Sequence, residues 1–510
     1  MSQFPVGRNA LRRRAATMAV PGVPTIDRPR LPDAAPEPAA RSRSTAARDA
    51  FAIGVARGLS AVIRRRGWGA SSFPGMAASW IAPGVVQRVA AGIGRSVLVS
   101  GTNGKTATSS LLSGILARVD EPVLVNASGA NLIQGIRTVI IGGATLTGRL
   151  LDARAIAVLE ADEASLPAAF RAMPRSMVVL TNLFRDQLDR YGETDHVVRL
   201  WEKMLAEVSQ SRGVVYCVDD PRVAALVADA AVPHFGYGLE GPPAGGSGAQ
   251  LTPEPATCPR CSERMVMSWR ATGHLGSYAC HGCGFRRPEP DCTVAVVENR
   301  GLDGQTVRFT WRDEPPEMVD LALPGVGNAC NAAAAVTAAV ALGIPARLAI
   351  RALASVPPPF GRFENLEVDG RRLTLALLKN PASMEELTNV AAASHVDTVL
   401  LAFNDAFADG RDVSWYWDCS PAPMIAGRRF VVAGKRADDA LLRIRYAVCS
   451  DPASDPPGFE GLVRDPVEAL GHAISVTPAG GTVLAVATYT ALLAIRASLV
   501  AQAFAPVMPR

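Results

Sequence analysis

The chain of 510 residues has no stretch of about eighteen or more uninterrupted apolar residues, so nothing in it is expected to span a bilayer. The arginine-rich N-terminus lacks the apolar core of a secretory signal, and the cytoplasm is the expected compartment. Charge of one sign is also scarce. With 52 basic against 47 acidic residues, the net charge of +5 is too small to argue for nucleic acid. No internal repeat of solenoid period is found. The nine cysteines are not arranged as a disulfide scaffold: four fall in one group at 258, 261, 280 and 283, and the singles lie at 217, 292, 330, 419 and 449, as suits a reducing compartment.

What the chain does have is length for two or three domains and 48% hydrophobic residues to fill their cores. Its most informative run is Val97-Leu-Val-Ser-Gly-Thr-Asn-Gly-Lys-Thr-Ala-Thr-Ser-Ser110, a β-branched strand that breaks into a glycine turn and opens a helix. Gly101 and Gly104 let successive amides curl inward around phosphate, with Thr102 and Asn103 between them. Lys105 adds a cation, and Thr106 offers a hydroxyl to Mg²⁺. The run is shorter than G-x-x-x-x-G-K-[ST], but its strand, turn and helix are those of a P-loop.

Residues 1–46 are rich in Ala, Arg and Pro and read as a disordered basic tail, followed by an amphipathic helix from Ala47 to Arg66. Apolar runs at 122–126, 155–159, 176–181 and 213–217 alternate with helical segments, which implies a mostly parallel sheet covered on both faces. Ligands on such sheets gather beyond the strand carboxyl ends. Asn126, Glu160, Asn182 and Asp219-Asp220 stand there, and Glu160 is the candidate Mg²⁺ carboxylate. An insert at about 250–292 carries Cys258-x-x-Cys261 and Cys280-x-x-Cys283. Two such knuckles fit a closed tetrahedral Zn²⁺ site, a structural one because no coordination position stays open. His274 and His281 lie nearby in sequence. An alanine-rich helix follows Leu323, and Pro357-Pro-Pro-Phe-Gly-Arg-Phe-Glu364 reads as a stiff linker. Beyond it, runs at 373–378, 398–402, 429–433 and 481–486 suggest a second α/β domain. The expected organisation is a central domain over 47–356 and a C-terminal one over 357–510.

The loop Gly101–Thr106, Glu160, Thr181-Asn182 followed by Asp186-x-x-Asp189, Asp219-Asp220-Pro221 and Gly325-x-x-Asn328-x-x-Asn331 occur in the order seen in Mur ligases, and the chain resembles that superfamily. More narrowly, the cysteine ribbon, the run Asn182–Gly192, Lys379-Asn-Pro381 and the run Asn404–Asp418 resemble the MurT family, ligase-like subunits that work with a GatD-type glutaminase. The resemblance implies a central P-loop ATPase domain with an inserted zinc ribbon, plus a C-terminal Rossmann-like α/β domain. It also implies ATP-dependent amidation of the D-glutamate α-carboxylate of lipid II, giving D-isoglutamine through an acyl phosphate, at the inner face of the membrane. Asn328 and Arg362 are then expected at the adenine or ribose end of ATP, with Lys379 and Asn380 near the reacting phosphate. One of Asp405, Asp409 and Asp412 is expected to complete the partner's Cys-His pair.

One departure bears on this. Asp186-Gln187 stands where most amino-acid-adding Mur ligases read Asp-His, so a histidine-bound second Mg²⁺ is not expected. Lys203, near the place of a lysine carbamylated in several relatives, reads better as an exposed helix lysine. With six histidines in all and none beside Cys419, an in-chain glutaminase is not expected. The competing readings are a wall-type or folylpolyglutamate-type amino-acid ligase and a zinc-ribbon adaptor that only binds nucleotide.

Overall fold

The structure, a computed structural model, describes residues 42–65, 72–126, 131–184, 194–207, 211–243, 257–359 and 361–505. The expected basic tail up to residue 41, Arg66, and the Asp186-Gln187 and Asp189 positions lie outside the described residues.

Three helices, α1 (Arg43–Arg65), α2 (Phe73–Ile81) and α3 (Val85–Ala90), precede the first strand; α1 starts at Arg43, four residues before the sequence boundary at Ala47. Then β1 (Arg95–Ser100), α4 (Lys105–Arg118), β2 (Val123–Val125), α5 (Ile133–Gly142), β3 (Ile156–Glu160), α6 (Leu166–Ala172) and β4 (Met177–Leu180) alternate. They are followed by α7 (Thr194–Ala206), β5 (Val214–Cys217), α8 (Pro221–Val227) and β6 (His234–Leu239). These six strands are parallel, in the order β6-β5-β4-β1-β3-β2. The order reverses at β1, which has β4 on one side and β3 on the other, so a crevice opens beyond its carboxyl end.

The sheet then departs from the parallel expectation. After a separate hairpin of β7 (Val266–Arg270) and β8 (Gly276–Ala279), the chain adds β9 (Cys292–Asn299) parallel to β6, and then β10 (Gln305–Trp311) and β11 (Glu317–Leu321) antiparallel, making nine strands. The antiparallel edge has one buried and one open face: β10 alternates strictly between buried and half-buried positions.

Alternation also divides the core. Val97 and Val99 of β1 face one side, with α4, α9 (Val326–Ala341) and α10 (Ala346–Leu353), while Leu98 faces the other, with α1, α2 and α5 to α8. Ala332 to Ala335 of α9 are fully buried; residues without bulk let α9 approach α4 and the sheet closely.

The second sheet begins earlier than the linker reading allowed. Arg362, Phe363 and Glu364 belong to β12 (Arg362–Val368), paired antiparallel with β13 (Arg371–Leu377), because the run after Gly361 finds a partner strand that local sequence does not reveal. The remainder runs α11 (Pro381–Ala392), β14 (Thr398–Ala402), α12 (Ala422–Ile425), β15 (Arg429–Ala433), α13 (Ala437–Val448), β16 (Phe459–Val463), α14 (Pro466–Val476), β17 (Thr482–Ala487) and α15 (Tyr489–Ala501). The strand order is β12-β13-β17-β14-β15-β16, parallel but for β12.

Candidate functional site

The turn after β1 is built as its glycines require. Gly101 and Gly104 have φ of 136° and 86°, and a Cβ on Gly104 would collide with the Asn331 carboxamide from α9. The loop is braced by the end of β4: the Thr102 amide donates to the Asn182 carbonyl (2.8 Å), the Asn103 amide to Asn182 Oδ1 (2.9 Å), and Thr181 Oγ1 to the Asn103 carbonyl (2.7 Å). The Gly104–Thr106 amides open α4, where the positive end of a helix suits phosphate oxygens.

Lys105 is buried. Its Nζ contacts the Gly101 carbonyl and pairs with Glu163 Oε2 at 3.0 Å. Burial alone would lower its pKa, but Glu163, Asp162 and Glu160 outweigh that and hold it raised and charged. Glu163 is thus the residue that fixes the lysine; its only signal in the sequence is its place in Leu159-Glu-Ala-Asp-Glu163. Thr106 Oγ1 lies 3.1 and 3.0 Å from the two Glu160 oxygens. Asn126 clamps the Glu160 backbone on both sides, at 2.9 and 2.8 Å. A hydroxyl and a carboxylate converging beside a phosphate loop form an oxygen donor set that fits Mg²⁺.

The second sheet reaches this loop directly. Asn380 caps α11, and its Nδ2 donates to Asn103 Oδ1 at 3.0 Å. Lys379 stands beside it, half-buried, its amide donating to Ser383 Oγ. Between the two sheets lies an open cleft lined by Asn103, Gly104, Asn328, Asn331 and Arg362. Arg362 is aimed there by a bulge between Arg362 and Glu364, with Phe363 in the left-handed region (φ 56°). Burial lowers the Arg362 pKa, opposed by Glu160 and Glu386. Glu386, missed in the sequence, lies over the α9 N-terminus; burial pushes it up to about 7, against Arg362 and the Asn328 and Gly327 amides. Burial does the same to Glu385, which also rises to about 7.

The four knuckle cysteines come together with all sulfurs within 4.8 Å. Cys258–Cys283 and Cys261–Cys280 are 3.6 and 3.4 Å apart, too long for disulfides and near the edge of roughly 3.8 Å for a tetrahedron with Zn–S of about 2.3 Å. The donor set therefore fits zinc. The Cys283 amide lowers the Cys280 thiol to about 7, while the neighbouring sulfurs push Cys261 up to about 12 and burial raises Cys258. His274 is not part of this cluster; it sits at the opposite end of the hairpin, 3.2 Å from Asp220 Oδ2 and tilted against Phe184. Burial alone would raise the Asp220 pKa, but His274, the Leu183 amide and Arg222 together hold it below its usual value. The Gly276 amide bonds the Asp219 carbonyl, and the Gly273 amide bonds Glu385, so the tip joins both sheets. Ala271, Thr272 and Leu275 of this tip form a wall of the cleft between the two sheets.

The three candidate aspartates are not brought to the phosphate loop. Asp409 and Asp412 line a separate cleft with Trp415 and Trp417, which shares no lining residue with the first; Asp405 directly follows its lining residue Asn404. They also differ from one another. Asp409 is buried, its carboxylate accepting from the Thr490 amide (2.7 Å), Thr490 Oγ1 (2.6 Å) and the Ala406 amide (3.0 Å). Asp405 is half-exposed, 3.9 Å from Arg436, and Asp412 accepts from the Ser414 amide at 2.9 Å. Lys203 is exposed on α7.

Residues 99–257 match the Mur ligase middle domain, and residues 377–492 match the MurT ligase C-terminal domain. A protein of Streptococcus pneumoniae described as "Lipid II isoglutaminyl synthase (glutamine-hydrolyzing) subunit MurT" is 33% identical over 377 residues, 72% of this chain and 79% of its own length. The chain belongs to the MurT family. It is a Mur-ligase-like enzyme subunit. Among solved structures, a pseudomurein peptide ligase type C of Methanothermus fervidus superposes with a TM-score of 0.60 at 20% identity, covering 80% of this chain and 79% of that one. MurF of Thermotoga maritima, solved with ADP, gives 0.57 at 15% identity over 81% and 82%. These likenesses show that the MurT-family chain has the Mur ligase fold. No described helix is long and apolar enough to cross a membrane.

Proposed function

We propose that this chain is the ligase subunit of a lipid II isoglutaminyl synthase, amidating the D-glutamate α-carboxylate of lipid II with ATP and with ammonia from a GatD-like glutaminase. The observation that carries the reading is the Asn380–Asn103 contact, which lays a C-terminal-domain helix cap directly on a phosphate loop already equipped with Lys105, Thr106 and Glu160. The S. pneumoniae relative's description supports the acceptor and the amido donor.

A carboxylate does not react with ammonia at neutral pH because its oxygen is a poor leaving group. ATP supplies activation: a carboxylate oxygen attacks the γ-phosphorus, ADP departs, ammonia then attacks the acyl carbon, and phosphate leaves as the nitrogen sheds a proton. Lys105 and the α4 amides hold the phosphates, and Thr106 and Glu160 hold Mg²⁺, whose charge offsets that of the transferring group. Asn328 and Arg362 flank the nucleoside end. Lys379 and Asn380 close over the loop and exclude water from the acyl phosphate. Cys258, Cys261, Cys280 and Cys283 hold a structural Zn²⁺. Because Asp409 is committed to Thr490 and Ala406, the residue that orients the partner's histidine is Asp405 or Asp412.

The test incubates the chain, alone and with a GatD-like glutaminase, with ATP, Mg²⁺, a muropeptide acceptor, and glutamine or ammonium. The expected product has lost OH and gained NH₂ by mass, from ammonium with the chain alone and from glutamine only with the partner. Product that requires an added amino acid would overturn the reading. D405N and D412N should separate: one loses glutamine-dependent product and keeps ammonium-dependent product.

A further inference from the structure

The antiparallel pair α1 and α2 covers one face of the first sheet. Ala52, Ile53 and Ala56 of α1 and Ala77 and Ala78 of α2 point into the core. The outer side is not purely polar, as it would be on an ordinary surface helix. Phe51 is 65% exposed, Val62 51%, Phe73 47% and Trp80 67%. Phe51 and Val62 are eleven residues apart, within about 20° on a helical wheel, and Phe73 and Trp80 are seven apart, so each pair shares one face of its helix. Arg48 Nε donates to the Ile81 carbonyl at 2.5 Å, which sets the Phe51 end of α1 beside the Trp80 end of α2. Leu146, 52% exposed, continues the patch, lying against Gly54 of α1.

Basic groups predominate around this patch. Arg43, Arg48 and Arg57 are exposed on α1, and Arg149 is exposed on the turn that carries Leu146. The single acid of α1, Asp49, is 1% exposed and is bound to Arg88 at 2.5 Å, while α2 contains no ionisable residue. Asp152, beyond the turn, pairs with Arg154. Exposed aromatic and aliphatic side chains rimmed by arginine, without exposed acid on either helix, complement an anionic bilayer surface: the apolar groups enter the headgroup boundary while the guanidinium groups meet lipid phosphates.

We infer that the outer face of α1 and α2, with the Leu146 turn, docks this chain on an anionic membrane surface. The face also lies near the candidate site. α2 packs on α5 through the Gly75 amide and Thr138 Oγ1 (3.0 Å), and just before α5 the Asn131 carbonyl accepts from the Asp162 amide two residues past Glu160. For an acceptor with a lipid anchor, docking here brings the headgroup toward β3. That consequence rests on the proposed function; the docking itself does not.

The experiment sediments the full chain with vesicles of phosphatidylglycerol and phosphatidylcholine, and with phosphatidylcholine alone. Binding is expected only to the anionic vesicles and to weaken with salt. R48Q/R57Q should weaken it by about fivefold per arginine, and F51S/W80S should reduce the bound fraction strongly, each variant keeping the wild-type circular dichroism spectrum. Absence of binding to anionic vesicles overturns the inference. So does binding that survives both variants, or a patch whose substitution instead breaks a complex with a glutaminase or a second copy. Amidation of a soluble, lipid-free acceptor should be unchanged in all variants. A wild-type chain that binds vesicles yet amidates nothing would refute the proposed function and leave the docking intact.

Discussion

Stripping the proposed zinc from the cysteine ribbon should weaken nucleotide binding, although none of its four cysteines lines the cavity. The hairpin has little core of its own: Met265, Tyr278 and Phe285 are its large buried side chains beside the cysteines. At roughly 1.5–3 kcal/mol each, they give less than the 10–16 kcal/mol or so that a structural zinc contributes. Without metal, the hairpin opens and its tip loses its anchors on Asp219, Asp220 and Glu385. Ala271, Thr272 and Leu275 then no longer wall the cavity. If they cover about 50 Å² of a bound base, the loss is about 1.3 kcal/mol, roughly tenfold in Kd. Calorimetric titration of ADP into native, chelator-treated and zinc-restored protein measures this, and hydrogen exchange over 257–291 reports whether the hairpin has opened. An open hairpin with unchanged Kd would falsify the coupling, and a metal-free hairpin that stays protected would refute the energetic premise.

Three further outcomes follow from the site. Lys105→Ala leaves Glu163 buried beside Asp162 and Glu160, so it should cost about 3–5 kcal/mol in denaturant melts as well as abolish nucleotide turnover; adding Glu163→Gln should restore most of the stability and none of the turnover. Glu385 and Glu386 titrate at about 7 when folded, above the ordinary 4.5, so the folded chain binds more protons than the unfolded one between those values. Stability should therefore fall as pH rises through that window, by up to about 3 kcal/mol for each carboxyl, and Glu386→Gln should flatten the slope of Tm against pH. Gly104→Ala places a Cβ against Asn331 at a φ of 86°; nucleotide binding should disappear with a loss of about 1–3 kcal/mol in stability, and an alanine variant that binds normally would contradict the loop geometry.

The sequence alone determined the parts whose chemistry is local. The strand, the turn at Gly101 and Gly104, and the helix that opens at Lys105 were legible because they are set by neighbouring dihedrals. The paired cysteines are equally self-contained: two short knuckles need only meet. The parallel strands were legible for the same reason, as short apolar runs bounded by turns. Tertiary structure decided what depends on distant partners. Nothing in Arg362-Phe-Glu364 announces a strand, because its pairing partner and the bulge that turns Arg362 inward come from β13. Glu386 is one acid on an amphipathic helix until α9 and Arg362 surround it and burial raises its pKa. Asp405, Asp409 and Asp412 look equivalent in a line of text; only packing against Thr490 buries one of them. Burial and desolvation act through space, and the groups that meet can be far apart in the chain: Asn103 and Asn380, which hydrogen-bond, are 277 positions apart.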